Sequence, residues 1–132
     1  MGAWGYGVFE DDSALDFLYD LEEEGNLRKA FKRIFNVKAS DLLDYDEGIS
    51  ILVAASLIDS VNEDNKYEDL YDEYSDLMER VKETNFDDLK SDARRAVQLV
   101  LSDISELRQL WEESGYYVNW KSEIEELLDR LK

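Results

Sequence analysis

The stretch Ile49-Ser-Ile-Leu-Val-Ala-Ala-Ser-Leu-Ile58 decides the fold. It is almost wholly apolar, and such a run forms either a buried strand or a buried helix. Its Ala-Ala-Ser centre and its continuation to Val61 favour a helix, central to the molecule. The flanking sequence then reads as shorter helices around it.

Upstream, the helical pattern begins at Asp12. Ser13 reads as its N-cap, with Asp16 three residues on near the positive helix end. Leu15, Phe17, Leu18 and Leu21 form its apolar side, and Gly25 is a natural stop. Asn26 caps a second helix with Leu27, Ala30, Phe31, Ile34 and Phe35 on one side. Arg28, Lys29, Lys32 and Arg33 lie on the other. Residues 39–44 read as a short helical turn.

Downstream, residues 66–83 follow the 3.6-residue period through Tyr67, Leu70, Tyr71, Tyr74, Leu77, Met78 and Val81. A long helix over about 87–113 carries Leu89, Ala93, Ala96, Val97, Val100, Leu101, Ile104, Leu107 and Trp111, and Gly115 ends it. Asn119 caps a last helix that buries Trp120, Ile124, Leu127, Leu128 and Leu131. The expectation is an all-α fold: one compact domain over residues 1–132, a bundle of five or six helices.

Composition bounds the function. The 132 residues hold 44% hydrophobic and 36% charged side chains, with a formal net charge of −18. That hydrophobic content is not the composition of a disordered chain. The charge repels nucleic acid and anionic membrane surfaces and attracts basic partners. There is no cysteine and no histidine. Thiolate chemistry is excluded, and the usual proton-transfer residue and commonest metal ligand are missing. The expectation is therefore no catalytic residue, no cofactor and no metal. No run approaches 18 apolar residues, so no membrane span is expected. The start MGAWGYGVFEDD has no basic segment of a signal peptide. Tyr6 stands where myristoylation favours Ser or Thr. A cytoplasmic protein follows as the expectation.

Two segments carry a family resemblance. The opening MGAWGYGVFEDDSALDFLYDLEE shows Met-Gly-x-Trp-Gly-x-Gly, a Phe, an acidic run and a helix. The ending SELRQLWEESGYYVNWKSEIEELLDRL shows Glu-Leu-x-x-Leu-Trp, then a Trp and an amphipathic helix. Both resemble the mainly bacterial domain of unknown function 4259. The resemblance implies a compact helical domain and brings no activity and no catalytic residue. The chain departs from the family pattern at Val8 and Tyr6 and in its acidic, tyrosine-rich middle helix.

Each local motif also has a plain structural reading. Glycine loops before helices can cradle phosphate, but Glu10, Asp11 and Asp12 occupy the would-be anion site, and no lysine follows in the spacing of a phosphate loop. The glycines instead let the chain turn while Trp4 and Phe9 pack into the core. Glu10, Asp11, Asp12 and Asp16 read as capping and solvation, because no calcium-loop register is present. The basic stretch Arg28–Lys38 reads as pairing with neighbouring acidic segments. Trp111 and Trp120 read as core, and Tyr116 and Tyr117 as candidates for partner binding.

The strongest candidate surface is the outer face of residues 66–83: Glu68, Asp69, Asp72, Glu73, Asp76 and Glu79. On one straight helix these acids would span about 17 Å, with only Arg80 and Lys82 nearby. The expected role is a non-enzymatic binding protein whose acidic face docks on a basic protein, for example an immunity-type inhibitor presenting carboxylates to a basic toxin such as a nuclease. The alternatives are an enzyme using a carboxylate-bound metal and a structural or self-associating protein.

Overall fold

The computed structural model describes residues 3, 5–62 and 64–131. Among them stand eight α-helices: α1 (Asp12–Glu22), α2 (Leu27–Phe35), α3 (Tyr45–Ser60), α4 (Glu68–Glu73), α5 (Ser75–Glu83), α6 (Lys90–Val100), α7 (Glu106–Glu112) and α8 (Tyr117–Arg130). Two 3-10 turns, Asp64–Tyr67 and Asp87–Leu89, precede α4 and α6. The fold is all-α, with eight helices in place of the five or six expected.

The apolar run is helical and central. It starts on a capping box: the Asp44 side chain accepts from the Glu47 N–H at 2.8 Å, and Glu47 accepts from the Asp44 N–H at 3.3 Å. The two bonds satisfy donors that a helix start leaves open. Every residue from Ile51 to Ser60 is buried. α1, α2, α5, α6, α7 and α8 all pack on this rod. Burying each of its large aliphatic side chains contributes roughly 1.5–3 kcal/mol.

Two expected long helices are broken. Residues 66–83 divide at Tyr74, whose backbone leaves the helical region at φ −128° and ψ 45°. The two helices abut at this residue: the Tyr74 N–H donates to the Leu70 carbonyl at 2.7 Å, and the Met78 N–H to the Tyr74 carbonyl at 2.9 Å. The break redirects the chain so that Leu77, Met78 and Val81 reach the core. It also places Ser75 and Asp76 at the positive start of a new helix, which relieves part of the like-charge load. Residues 87–113 divide into the second 3-10 turn, α6 and α7. Leu43 inserts at the second break, its N–H donating to the Ile104 carbonyl and its carbonyl accepting from the Glu106 N–H, both at 2.9 Å. Of the expected short helical turn at residues 39–44 only a single turn remains, closed by the Asp41 N–H on the Lys38 carbonyl at 3.1 Å, and residues 41–44 run on without helix.

The caps differ from expectation in two places. Buried Asp11, not Ser13, caps α1, accepting from the Ser13 and Ala14 N–H groups and from the Tyr45 hydroxyl. Asn119 lies inside α8, which starts after Tyr116. Asn26 caps α2 as expected, at 3.0 Å from the Lys29 nitrogen. Gly115 follows α7 with φ of 84°, a left-handed conformation that favours glycine.

Leu52 is 1% exposed at the middle of the rod. Leu52→Ala is expected to lower unfolding stability by about 2–5 kcal/mol in a urea titration. A loss below about 1 kcal/mol would contradict a tightly packed rod.

Candidate functional site

The six acids expected to form the docking face, Glu68, Asp69, Asp72, Glu73, Asp76 and Glu79, are all exposed. They lie on two short helices that meet at Tyr74, not on one straight strip. Among the described residues, no ion pair reaches any of the six. The cations that follow in sequence are directed elsewhere. Arg80 donates to the carbonyls of Glu22 and Glu24 after α1. Lys82 sits 4.6 Å above the Tyr71 ring. The carboxylate of Glu73 helps hold the Tyr74 phenol above its usual range, after burial as the larger cause.

Tyr116 and Tyr117 are not brought into this face. α4 and α5 pack on each other and α5 on α1 and α3, whereas α7 and α8 pack on each other and on α3. Tyr116 is 60% exposed. Tyr117 is half-buried, 6.0 Å from the Trp120 ring and 5.9 Å from the Arg108 guanidinium carbon. Trp111 and Trp120 are core, stacked at 6.2 Å.

The basic stretch is partly paired with acids. Arg28 forms a two-pronged pair with Asp88, both contacts 2.8 Å, and also donates to the Asn85 carbonyl. Arg33 reaches Glu24 at 4.0 Å. Among the described residues, no group of three or more carboxylates converges closely enough to hold a metal ion.

The glycine loop holds its own carboxylate. A side-chain carbon at Gly5 would fall 2.0 Å from Glu10 Oε2, and one at Gly7 would fall 2.7 Å from Glu10 Oε1. The two glycines make room for Glu10 in the space an anion would need. Phe9 is half-buried and meets Tyr67 edge-on at 6.3 Å, where full burial was expected. Trp4 lies outside the described residues.

Sequence reasoning missed the buried polar network beside this loop. Asp59, 3% exposed, lies near the end of the apolar run. Its Oδ2 accepts from the Tyr67 hydroxyl at 2.6 Å and from Arg130 Nε at 2.8 Å. Burial, then the bond to Asp59, raises the Tyr67 phenol far above its ordinary value. The signal was available: an acid next to Ile58 in a buried helix must find a cation or donors. A cleft of about 310 Å³ opens here between residues 7–10, α4 and α8, lined in part by Tyr67 and Arg130.

The family described as Domain of unknown function (DUF4259) matches residues 2–123. The chain belongs to that family. No curated protein and no solved structure matches it.

Two measurements test these assignments. Arg130→Gln leaves Asp59 buried without its cation, and is expected to cost roughly 3–5 kcal/mol of stability by urea unfolding. An unchanged urea midpoint would show that the pair is not needed. Asp88 is held down to about 2 from an ordinary 3.8, chiefly by its bond to Arg28. Because the folded value is the lower one, the stabilisation from this pair is complete above about pH 4 and fades as pH falls towards 2. NMR titration should place the Asp88 midpoint near the lower value and return it to the ordinary range in Arg28→Gln. Identical midpoints in the two proteins would contradict the pairing.

Proposed function

We propose that the chain is a non-enzymatic binding protein whose acidic face docks on a basic protein partner. The observation that carries this reading is the set of six exposed carboxylates on α4 and α5, with no ion-pair partner among the described residues. Unpaired acids repel one another at helical contact distance, at roughly 0.2–0.5 kcal/mol per pair. A surface of this kind gains when Lys and Arg side chains of a partner replace that repulsion with attraction. It also speeds encounter, in a manner that salt suppresses. The net charge of −18 extends the attraction over the whole molecule.

An immunity-type inhibitor is one concrete form. A toxin that acts on nucleic acid presents cations arranged for phosphates, and a row of carboxylates is complementary to them. This form rests on charge and size by analogy. Tyr116 and Tyr117 belong to a separate surface, so the docking face comprises Glu68, Asp69, Asp72, Glu73, Asp76 and Glu79.

The test is affinity capture at low salt from the source cell lysate, with the retained protein identified by mass spectrometry. The native protein is compared with a variant carrying Asp69→Asn, Asp72→Asn, Glu73→Gln and Asp76→Asn. The native protein should retain a basic partner that elevated salt releases. Four lost charge pairs at about 0.2–1 kcal/mol each should weaken binding by about 0.8–4 kcal/mol, or roughly fourfold to several hundredfold. Equal retention by the variant would reduce the face to a solvated surface.

A further inference from the structure

The cleft between the glycine loop, α4 and α8 has a floor of unused hydrogen-bond donors. Ser56 is only 2% exposed and lines it. Other serines on α3 return their hydroxyls to the helix: Ser50 donates to the Glu47 carbonyl at 2.8 Å, and Ser60 to the Leu57 carbonyl at 2.5 Å. Among the described residues, the Ser56 hydroxyl has no such partner, although no fully buried side-chain polar atom is left unpaired. The hydroxyl therefore opens onto the cleft.

Arg130 lies on the same lining. Its Nε is fixed by Asp59, whose side chain is 1% exposed and is also bonded by Tyr67. Asp59 thus orients the guanidinium and cancels its charge without using its two terminal nitrogens. Apart from the nearby Tyr67 hydroxyl, which interacts with the guanidinium, these nitrogens have no hydrogen-bond partner among the described residues. A planar fork held in this way suits a carboxylate, which it can bind with two parallel bonds. Lys66 adds a positive charge at the exposed edge.

The rest of the mouth has the opposite sign. Glu10, Asp69 and Glu123 border it and would repel a simple anion. Leu70 and Leu127 add apolar lining. A volume of about 310 Å³ lies at the small end of ligand sites, which run from roughly 300 to 1,000 Å³.

We propose that this cleft binds a free α-amino acid with a basic side chain. The carboxylate lies on Arg130 and Ser56, the methylenes lie against Leu70 and Leu127, and the cationic groups face Glu10, Asp69 and Glu123. The site shares Asp69 with the docking face and otherwise uses different residues.

The experiment follows the methyl NMR signals of Leu70 and Leu127 during titration with L-arginine at constant ionic strength. L-argininamide and sodium acetate serve as comparators. Saturable shifts are expected with L-arginine. Binding should be at least tenfold weaker with the amide, which lacks the carboxylate, and with acetate, which lacks the cation. Ser56→Ala removes only the floor hydroxyl and should weaken L-arginine binding several-fold while leaving the remaining spectrum in place. Glu123→Gln should weaken it without changing the response to acetate. No saturable shift with L-arginine would overturn the proposal. Equal binding of the amide would reduce the cleft to a cation site, and equal binding of acetate to an anion site; either result overturns it. Shifts confined to the amides of Asp72 and Asp76 would mean that arginine only coats the acidic face, which also overturns it.

Discussion

From Ile51 to Ser60 no residue of α3 faces solvent, and this constraint organises the rest of the chain. A helix that is apolar all round has no amphipathic stripe to orient it; it must be enclosed. Enclosing a rod of 16 residues with a chain of 132 requires short helices that change direction. That requirement explains why the helices at 66–83 and 87–113 break even though their apolar periodicity runs on. At Tyr74 the chain bends between two helices that share this residue as their cap. At residues 101–105 it yields to Leu43, which uses the freed backbone groups of Ile104 and Glu106.

The second constraint is the shortage of cations, 15 against 33 acids. Most of the arginines are committed to positions where a helix ends. Arg80 binds carbonyls after α1, Arg95 those of Phe35 and Val37 after α2, Arg94 that of Leu128 in α8, and Arg108 that of Leu101 after α6. Helix C-termini leave carbonyls without internal partners and carry partial negative charge, so guanidinium groups are well placed there. Arg108 also pairs with Asp103 and Glu112, whereas Arg80, Arg94 and Arg95 form no ion pair among the described residues. The bare acids on α4 and α5 thus follow partly from how the helix ends are held, and the excess negative charge is concentrated on the outer surface.

Much of this was legible in the sequence. The apolar run, the Asn26 cap, the stripes of α2 and α8 and the core tryptophans all follow from local pattern. The breaks were not legible, because periodicity records which residues face the core and not whether the axis turns between them. Ser105 shows the difficulty: it caps α7 and is fully buried, yet it sits among apolar residues at helical spacing. Exposure of the acidic face was legible, and its division at Tyr74 was not. The role of Gly5 and Gly7 was half legible. Their small size was apparent, but the group they accommodate, Glu10, comes from the same loop and is seen only in three dimensions.

Asp59 connects the core to the surface. Placed next to Ile58 in an otherwise apolar helix, it needs a cation that the surrounding core cannot provide. The only means is to draw one in from outside, and Arg130 near the end of α8 does so, with Tyr67 arriving from the turn before α4. The acid therefore fixes where two distant segments approach α3. Arg130 keeps 23% of its side chain exposed while its Nε bonds the buried Asp59, so it spans the interval between core and solvent. A gap bordered by a charged group that cannot withdraw, beside the hydroxyl of Ser56, is a polar cleft by construction. The need to neutralise one buried carboxylate thus holds Arg130 and Tyr67 at the edge of this cleft.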